Sequence, residues 1–215
     1  MEVKKIVGIT PEDPAAMERA FAGLEAQPIA CCNWEKDFPY QPKVSFKMFH
    51  TGDWLMLRFE VEEQYTAALV EVDNGRVCTD SCVELFIMPD SEGWYYNFET
   101  TCIGRMLLEC HRSRHEGNSA SLETISLVKR FPSYPFGKTF AEQVGDNRWS
   151  VMIAIPPQAL YQHKLTDWSG VKGSMNLYKC GDNLSHPHFL TWKPVVAPQP
   201  DYHRPECFVP VYFEA

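Results

Sequence analysis

CVELFIMPDSEGWYYNFETT, from Cys82 to Thr101, decides the fold. Two apolar, aromatic-rich runs flank Pro89, Asp90, Ser91, Glu92 and Gly93, which supply turn chemistry, so the segment reads as a β-hairpin. If the loop is symmetric about positions 91 and 92, Glu84 faces Glu99, Phe86 faces Asn97 and Cys82 faces Thr101. Val83, Leu85 and Ile87 then point to the opposite face, toward a core. Acids are depleted in strands, and like charges directly opposite destabilise a sheet by up to about 1 kcal/mol. The pair therefore implies a cation, a set of hydrogen-bond donors or a protonated carboxyl. A solvated pair, or a one-residue bulge that separates the two, is the alternative.

Outward from this hairpin the period-two pattern continues. Val44, Phe46 and Met48 alternate with polar residues, Thr51-Gly52-Asp53 turns the chain, and Leu55, Leu57, Phe59 and Val61 alternate again. Further strands are expected over 67–72, 105–110, 124–129, 149–155, 175–179, 189–192 and 208–213. Asp13-Pro14 signals a helix start, and Met17, Phe21 and Leu24 keep helical spacing until Gln27-Pro28. A second short helix is expected after Pro156-Pro157, over 158–161. Many short strands between Gly, Pro, Asn and Asp, with little helix, indicate an all-β protein: an antiparallel, jelly-roll-like β-sandwich with a short N-terminal helix. The expected organisation is a helical extension, residues 1–28, packed on a sandwich of residues 29–215. The Pro-rich stretch from Pro194 to Pro205 reads as an ordered loop draped over one end or face.

The 215 residues suffice for one domain. With 20 basic and 28 acidic residues the net charge is -8, which argues against nucleic acid as a partner. No segment approaches the ~20 apolar residues of a membrane span, and the N-terminus lacks a signal-peptide apolar core. With Met1 taken as the native start, a cytoplasmic location is expected. The eight cysteines include the adjacent pair Cys31-Cys32 and others inside apolar strands, a pattern of structural thiols. Cys78 and Cys82, Cys110-His111, and His186-Pro187-His188 do not have zinc-site spacing. Asp73-Asn74 with Asp80, or Asp146-Asn147, are compatible with a structural calcium, although turn propensity explains them equally. No nucleophile elbow or Gly-rich phosphate loop is present.

The ordered set D-S-C-V-E-L-F-I, Y-Y-N-F-E, N-L-Y-K-C-G-D, H-F-L-T-W-K-P and P-D-Y-H-R-P-E-C-F resembles the carbohydrate-binding modules of family nine, especially stand-alone bacterial proteins of that type, from about Ile29 to Phe213. The resemblance implies a β-sandwich that binds sugars between aromatic rings and polar groups. It places a sugar hydrogen-bonding acid on Glu84, polar strand positions on Glu99 and Thr101, a late-strand position on Tyr178 and a stacking aromatic on Tyr202 or His203. The other stacking tryptophan of the family falls on Val77 or Cys78. A basic residue of the family falls on Glu99, which reverses the local charge.

The expected function is non-catalytic carbohydrate binding, with Tyr202 as an aromatic platform and Glu84, Glu99, Tyr178 and Lys179 as hydrogen-bonding groups. No cofactor is required for that function. Two alternatives stand beside it. Glu84 and Glu99 could serve as the paired carboxylates of a glycoside hydrolase, which lie ~5 Å apart in retaining enzymes; or the sandwich face could meet another protein, sugar binding having been lost.

Overall fold

The structure, a computed structural model, describes residues 1–215. In chain order its strands are β1 (Glu2–Val3), β2 (Gln27–Pro28), β3 (Lys43–His50), β4 (Leu55–Ala68), β5 (Cys82–Met88), β6 (Tyr95–Thr101) and β7 (Met106–Ser113). They continue with β8 (Glu116–Ser119), β9 (Lys129–Pro132), β10 (Phe140–Ile155), β11 (Lys172–Cys180), β12 (Phe189–Thr191) and β13 (Val209–Phe213). The first sheet has the order β1-β13-β11-β5-β6-β7-β8, with β12 paired to β11; the second has the order β2-β3-β4-β10-β9. Every pairing is antiparallel except β1 with β13. The fold is a two-sheet β-sandwich.

The register of the β5–β6 hairpin is the symmetric one: Cys82 opposes Thr101, Glu84 opposes Glu99 and Phe86 opposes Asn97, without a bulge. Gly93 in the connecting turn has φ of 89°, a left-handed conformation that favours glycine. The alternation then sends Val83, Leu85, Ile87, Tyr96 and Phe98 into the core between the sheets, where they join Phe46, Phe59, Trp149, Ile153 and Leu177.

Both outer faces also carry apolar clusters, and each has its own cover. On the second sheet, helix α1 (Pro14–Ala22) lays Met17 and Phe21 against Phe49, Met56, Met152 and Ala154. Asp13 caps α1 by accepting a hydrogen bond from the Ala16 amide at 2.9 Å, an interaction of about 1 kcal/mol. Burial of Phe21 contributes about 2–3 kcal/mol more. On the first sheet, Cys82, Phe86, Tyr95, Tyr178 and Cys180 are covered by Trp34, Val195, Tyr202 and Phe208. The Pro194–Pro205 loop therefore forms a roof over the face that bears Glu84 and Glu99.

Within the first 28 residues β1 joins the first sheet and β2 the second. Three expectations change. Residues 67–72 do not form a strand of their own: β4 reaches Ala68 as the partner of the long β10. Residues 124–129 were expected as a strand, but Leu122–Leu127 is a helix, α2, in which the Ser121 side chain accepts from the Thr124 amide. That N-cap outweighs the short alternation of Ile125 and Leu127. The helical turn after Pro156 is a single 3-10 turn, Pro157–Ala159.

Candidate functional site

Four neighbouring strands, β11, β5, β6 and β7, carry a cleft on the outer face of the first sheet. Tyr178 of β11 opposes Glu84, Glu84 opposes Glu99, and Glu99 opposes Leu107 of β7, so these four side chains form one row across the sheet. A second row runs from Asn176 through Phe86 and Asn97 to Glu109, and a third holds Cys180, Cys82 and Thr101. The cleft, about 160 Å³, is lined by Glu84, Phe86, Glu99 and Cys180 from the floor, with Cys78, Asp182, Phe189, Arg114, Pro200, Asp201, Tyr202 and His203 around them. Larger concavities lie elsewhere, among them one over Tyr40, Glu62 and Arg148 and one over Leu24, Trp192 and Tyr212. Neither contains a comparable set of buried polar groups, so size alone does not identify the site.

Glu84 is buried, and Glu99 nearly so. The Cys180 thiol donates to Glu84 Oε1 at 3.0 Å, while Glu84 Oε2 is buried without any hydrogen-bond partner. Asn97 Nδ2 donates to Glu99 Oε1 at 2.8 Å. No Lys, Arg or His forms an ion pair with either acid. Burial first, and the opposed Glu99 second, hold the Glu84 carboxyl well above the usual carboxylate range. Burial likewise pushes Glu99 up to about 7, against the opposing effect of Asn97. Burial also raises Asp182 at the cleft wall. Without a ligand the floor thus holds uncharged or readily protonated carboxyls, the third of the explanations that the sequence left open.

The roof is fixed by specific bonds. Tyr202 lies flat on Tyr178, with ring centroids 4.1 Å apart and 9° between planes. Its hydroxyl donates to the carbonyl of Lys179 at 3.0 Å, and the Tyr178 hydroxyl donates to the carbonyl of Tyr202 at 3.3 Å. Asp201 accepts from the His203 amide at 3.1 Å, pairs with Arg204 at 2.8 Å and holds Arg114 across the rim. Trp34 Nε1 donates to the carbonyl of Ala197 at 2.9 Å, which fastens the start of the loop. His203 Nδ1 lies 3.0 Å from the Tyr95 hydroxyl. Burial, with the charges of neighbouring groups, lowers the His203 imidazole to about 4, so the ring is neutral near pH 7.

Of the residues expected from sequence, Glu84, Glu99, Tyr202 and His203 line the cleft. Tyr202, expected as a stacking platform, is 8% exposed and stacks on Tyr178 rather than opening a ring face to the cleft mouth. The partly exposed rings at the mouth are Phe189 and His203. Tyr178 lies beneath Tyr202. Thr101 is buried, and its hydroxyl accepts from the Arg105 amide at 3.0 Å in the β6–β7 turn.

Lys179 requires a correction. It opposes Val83, a core position, and therefore points between the sheets. There it pairs with Glu63 at 2.9 Å, lies 2.7 Å from His188 Nε2, and is fully buried. Trp149 Nε1 donates to Glu63 at 2.7 Å and completes this interior network. Burial and the Lys179 charge hold His188 well below its usual range, so Nε2 accepts from the lysine and Nδ1 donates to the carbonyl of His186.

Trp94 and Trp192 do not replace the second stacking tryptophan. Trp192 packs edge-on against Phe46 in the core, and Trp94 lies under Arg112. Cys78 and Asp182 occupy that wall, joined by a hydrogen bond from the Asp182 amide to the Cys78 carbonyl at 3.0 Å. Asp182, Phe189 and Asp201 lie inside the K-C-G-D, H-F-L-T-W-K-P and P-D-Y-H-R-P-E-C-F motifs, whereas Arg114 lies outside every motif. Two of the acids considered for calcium have protein partners. Asp73 is taken up by Arg130 and the Met106 amide, and Asp80 by the amides of Leu69 and Val70. All eight cysteines are free thiols, four of them buried, and no helix is long and apolar enough to cross a membrane.

The family described as carbohydrate-binding family 9 matches residues 13–213. A candidate carbohydrate-binding protein from Bacteroides uniformis ATCC 8492 shares 38% identity, with coverage of 100% of this chain and 98% of its own, and superposes with a TM-score of 0.94. A family 9 carbohydrate-binding module from Caldicellulosiruptor kristjanssonii, in complex with glucose, is 10% identical, with coverage of 100% and 95% and a TM-score of 0.57. The same module with cellotriose is 9% identical, with coverage of 100% and 93% and a TM-score of 0.58. At these identities the two module structures show a shared fold. No curated protein matches the chain.

Proposed function

The chain belongs to carbohydrate-binding family 9, and from that premise we propose that it binds a monosaccharide, or the terminal residue of a short glycan, in the cleft above Glu84 and Glu99. One observation carries this reading: a concave, partly apolar cleft lined by the buried acids Glu84 and Glu99, in which Glu84 Oε2 has its hydrogen-bonding capacity unfilled. A sugar ring presents hydroxyls to such groups and an apolar face to the rings of Phe189 and His203. The volume of about 160 Å³ lies below the ~300 Å³ at which pockets for drug-sized ligands begin, which favours one ring over an extended chain.

Calorimetric titration with a panel of mono- and disaccharides tests the binding reading. Saturable one-site binding supports it; absence of heat and of any spectral change at millimolar sugar removes it.

A further inference from the structure

The floor of the cleft holds two thiols and a carboxylate in an arrangement that hydrogen bonding alone does not complete. Cys82 and Cys180 are directly opposed on β5 and β11, and Glu84 lies two residues along β5 on the same face. The two sulfurs and a Glu84 oxygen all lie within 4.8 Å of one another. Cys82, Cys180 and Glu84 are 0%, 1% and 2% exposed. The bond from Cys180 fills one Glu84 oxygen, and the other is buried and unpartnered. The nearest lysine in sequence, Lys179, is on the opposite face and is committed to Glu63.

We propose that Cys82, Cys180 and Glu84 form a site for a thiophilic divalent cation of the zinc class. Two sulfurs and one carboxylate oxygen are a donor set suited to zinc, which takes four-coordinate sites of mixed sulfur and oxygen ligands. Hard cations such as calcium and magnesium prefer oxygen alone. Cys180 and Glu84 line the cleft, so the fourth coordination position faces it, beside Cys78 and Asp182. Binding is a proton exchange without redox change: the cation gains two sulfur bonds and one oxygen bond, and the two thiol protons and the Glu84 carboxyl proton leave to solvent. The ligands lie on strands far apart in sequence, which is why no zinc spacing announces them. The inference is independent of sugar binding.

The test uses the full chain, reduced and treated with chelator, in the absence of sugar. Cobalt(II) is added and thiolate-to-cobalt charge-transfer absorption is followed, then zinc is added as competitor. The expected result is one equivalent of cobalt with a charge-transfer band that zinc abolishes. The band should be lost in Cys82→Ser and Cys180→Ser, weakened in Glu84→Gln and retained in Cys207→Ser. Wild-type protein should also release about three protons per zinc into weakly buffered solution, a readout that does not depend on a variant folding. No charge-transfer band in the wild type, or a band that persists in both serine variants at cleft positions, overturns the proposal. Because no sugar is present, failure here leaves the sugar reading intact, and failure of the sugar titration leaves this one intact.

Discussion

Glu84 and Glu99 face each other directly across the β5–β6 hairpin, both buried, with no basic side chain paired to either. Two opposed buried carboxyls without a basic partner add little to sheet stability, so replacement of one separates a ligand role from a structural one. Glu99→Gln should leave thermal stability unchanged or raise it by up to about 1 kcal/mol. It should weaken sugar binding roughly tenfold, the loss of one hydrogen bond to an ionisable acceptor, about 1.4 kcal/mol. Thermal unfolding and calorimetry on the same preparation check both halves, and a fall in stability with unchanged affinity would reverse the assignment.

Tyr202 behaves as part of the roof. Its hydroxyl bonds the carbonyl of Lys179 and its ring stacks on Tyr178. Tyr202→Phe should cost about 1 kcal/mol of folding stability, and Tyr202→Ala about 3–5 kcal/mol, because it opens a cavity between the sheet and the loop. Denaturant unfolding measures both. An exposed platform would instead tolerate alanine with stability intact.

Lys179 and Glu63 make a fully buried ion pair inside the sandwich. Lys179→Met should destabilise by about 3–5 kcal/mol, since Glu63 is left as an uncompensated buried acid. The double variant with Glu63→Gln should recover much of that loss, leaving the Trp149 bond an acceptor. A double-mutant cycle in denaturant gives the coupling. Sugar affinity should be the same in whichever variants fold.

Glu109 supplies a pH dependence. Hydrogen bonds from His111, first, and Ser119 hold its carboxyl down at about 2 despite partial burial. A folded-state value below the unfolded one, about 4.3, stabilises the fold above the unfolded value and loses that contribution as pH falls toward the folded value. Wild type should therefore lose stability between about pH 4.5 and 2, by on the order of 2 kcal/mol more than Glu109→Gln does. Denaturant midpoints across that range decide it; parallel curves for the two proteins would contradict it.

The register of the opening hairpin was legible because both strands alternate strictly and the loop is symmetric, so Glu84 opposite Glu99 follows from residue positions alone. The face of Lys179 follows from the same rule: Tyr178 and Lys179 are neighbours on one strand and must point opposite ways, although a shared motif groups them. The roof was legible only as a Pro-rich loop. Whether Tyr202 faced solvent or Tyr178 depends on packing between segments 24 residues apart, which no local pattern encodes. The strand β8 is exposed and polar throughout, so it carries no hydrophobic period to read. The capped helix α2 shows the converse, an alternation too short to outweigh Ser121.

The central claim is that sugar sits over Glu84 and Glu99, and backbone-amide NMR during titration with a bound sugar tests it most directly. The account predicts shifts confined to Cys82–Phe86, the region of Glu99, Gly181-Asp182 and Tyr202-His203. Shifts clustered instead around Tyr40, Glu62 and Arg148, on the second sheet, would contradict it.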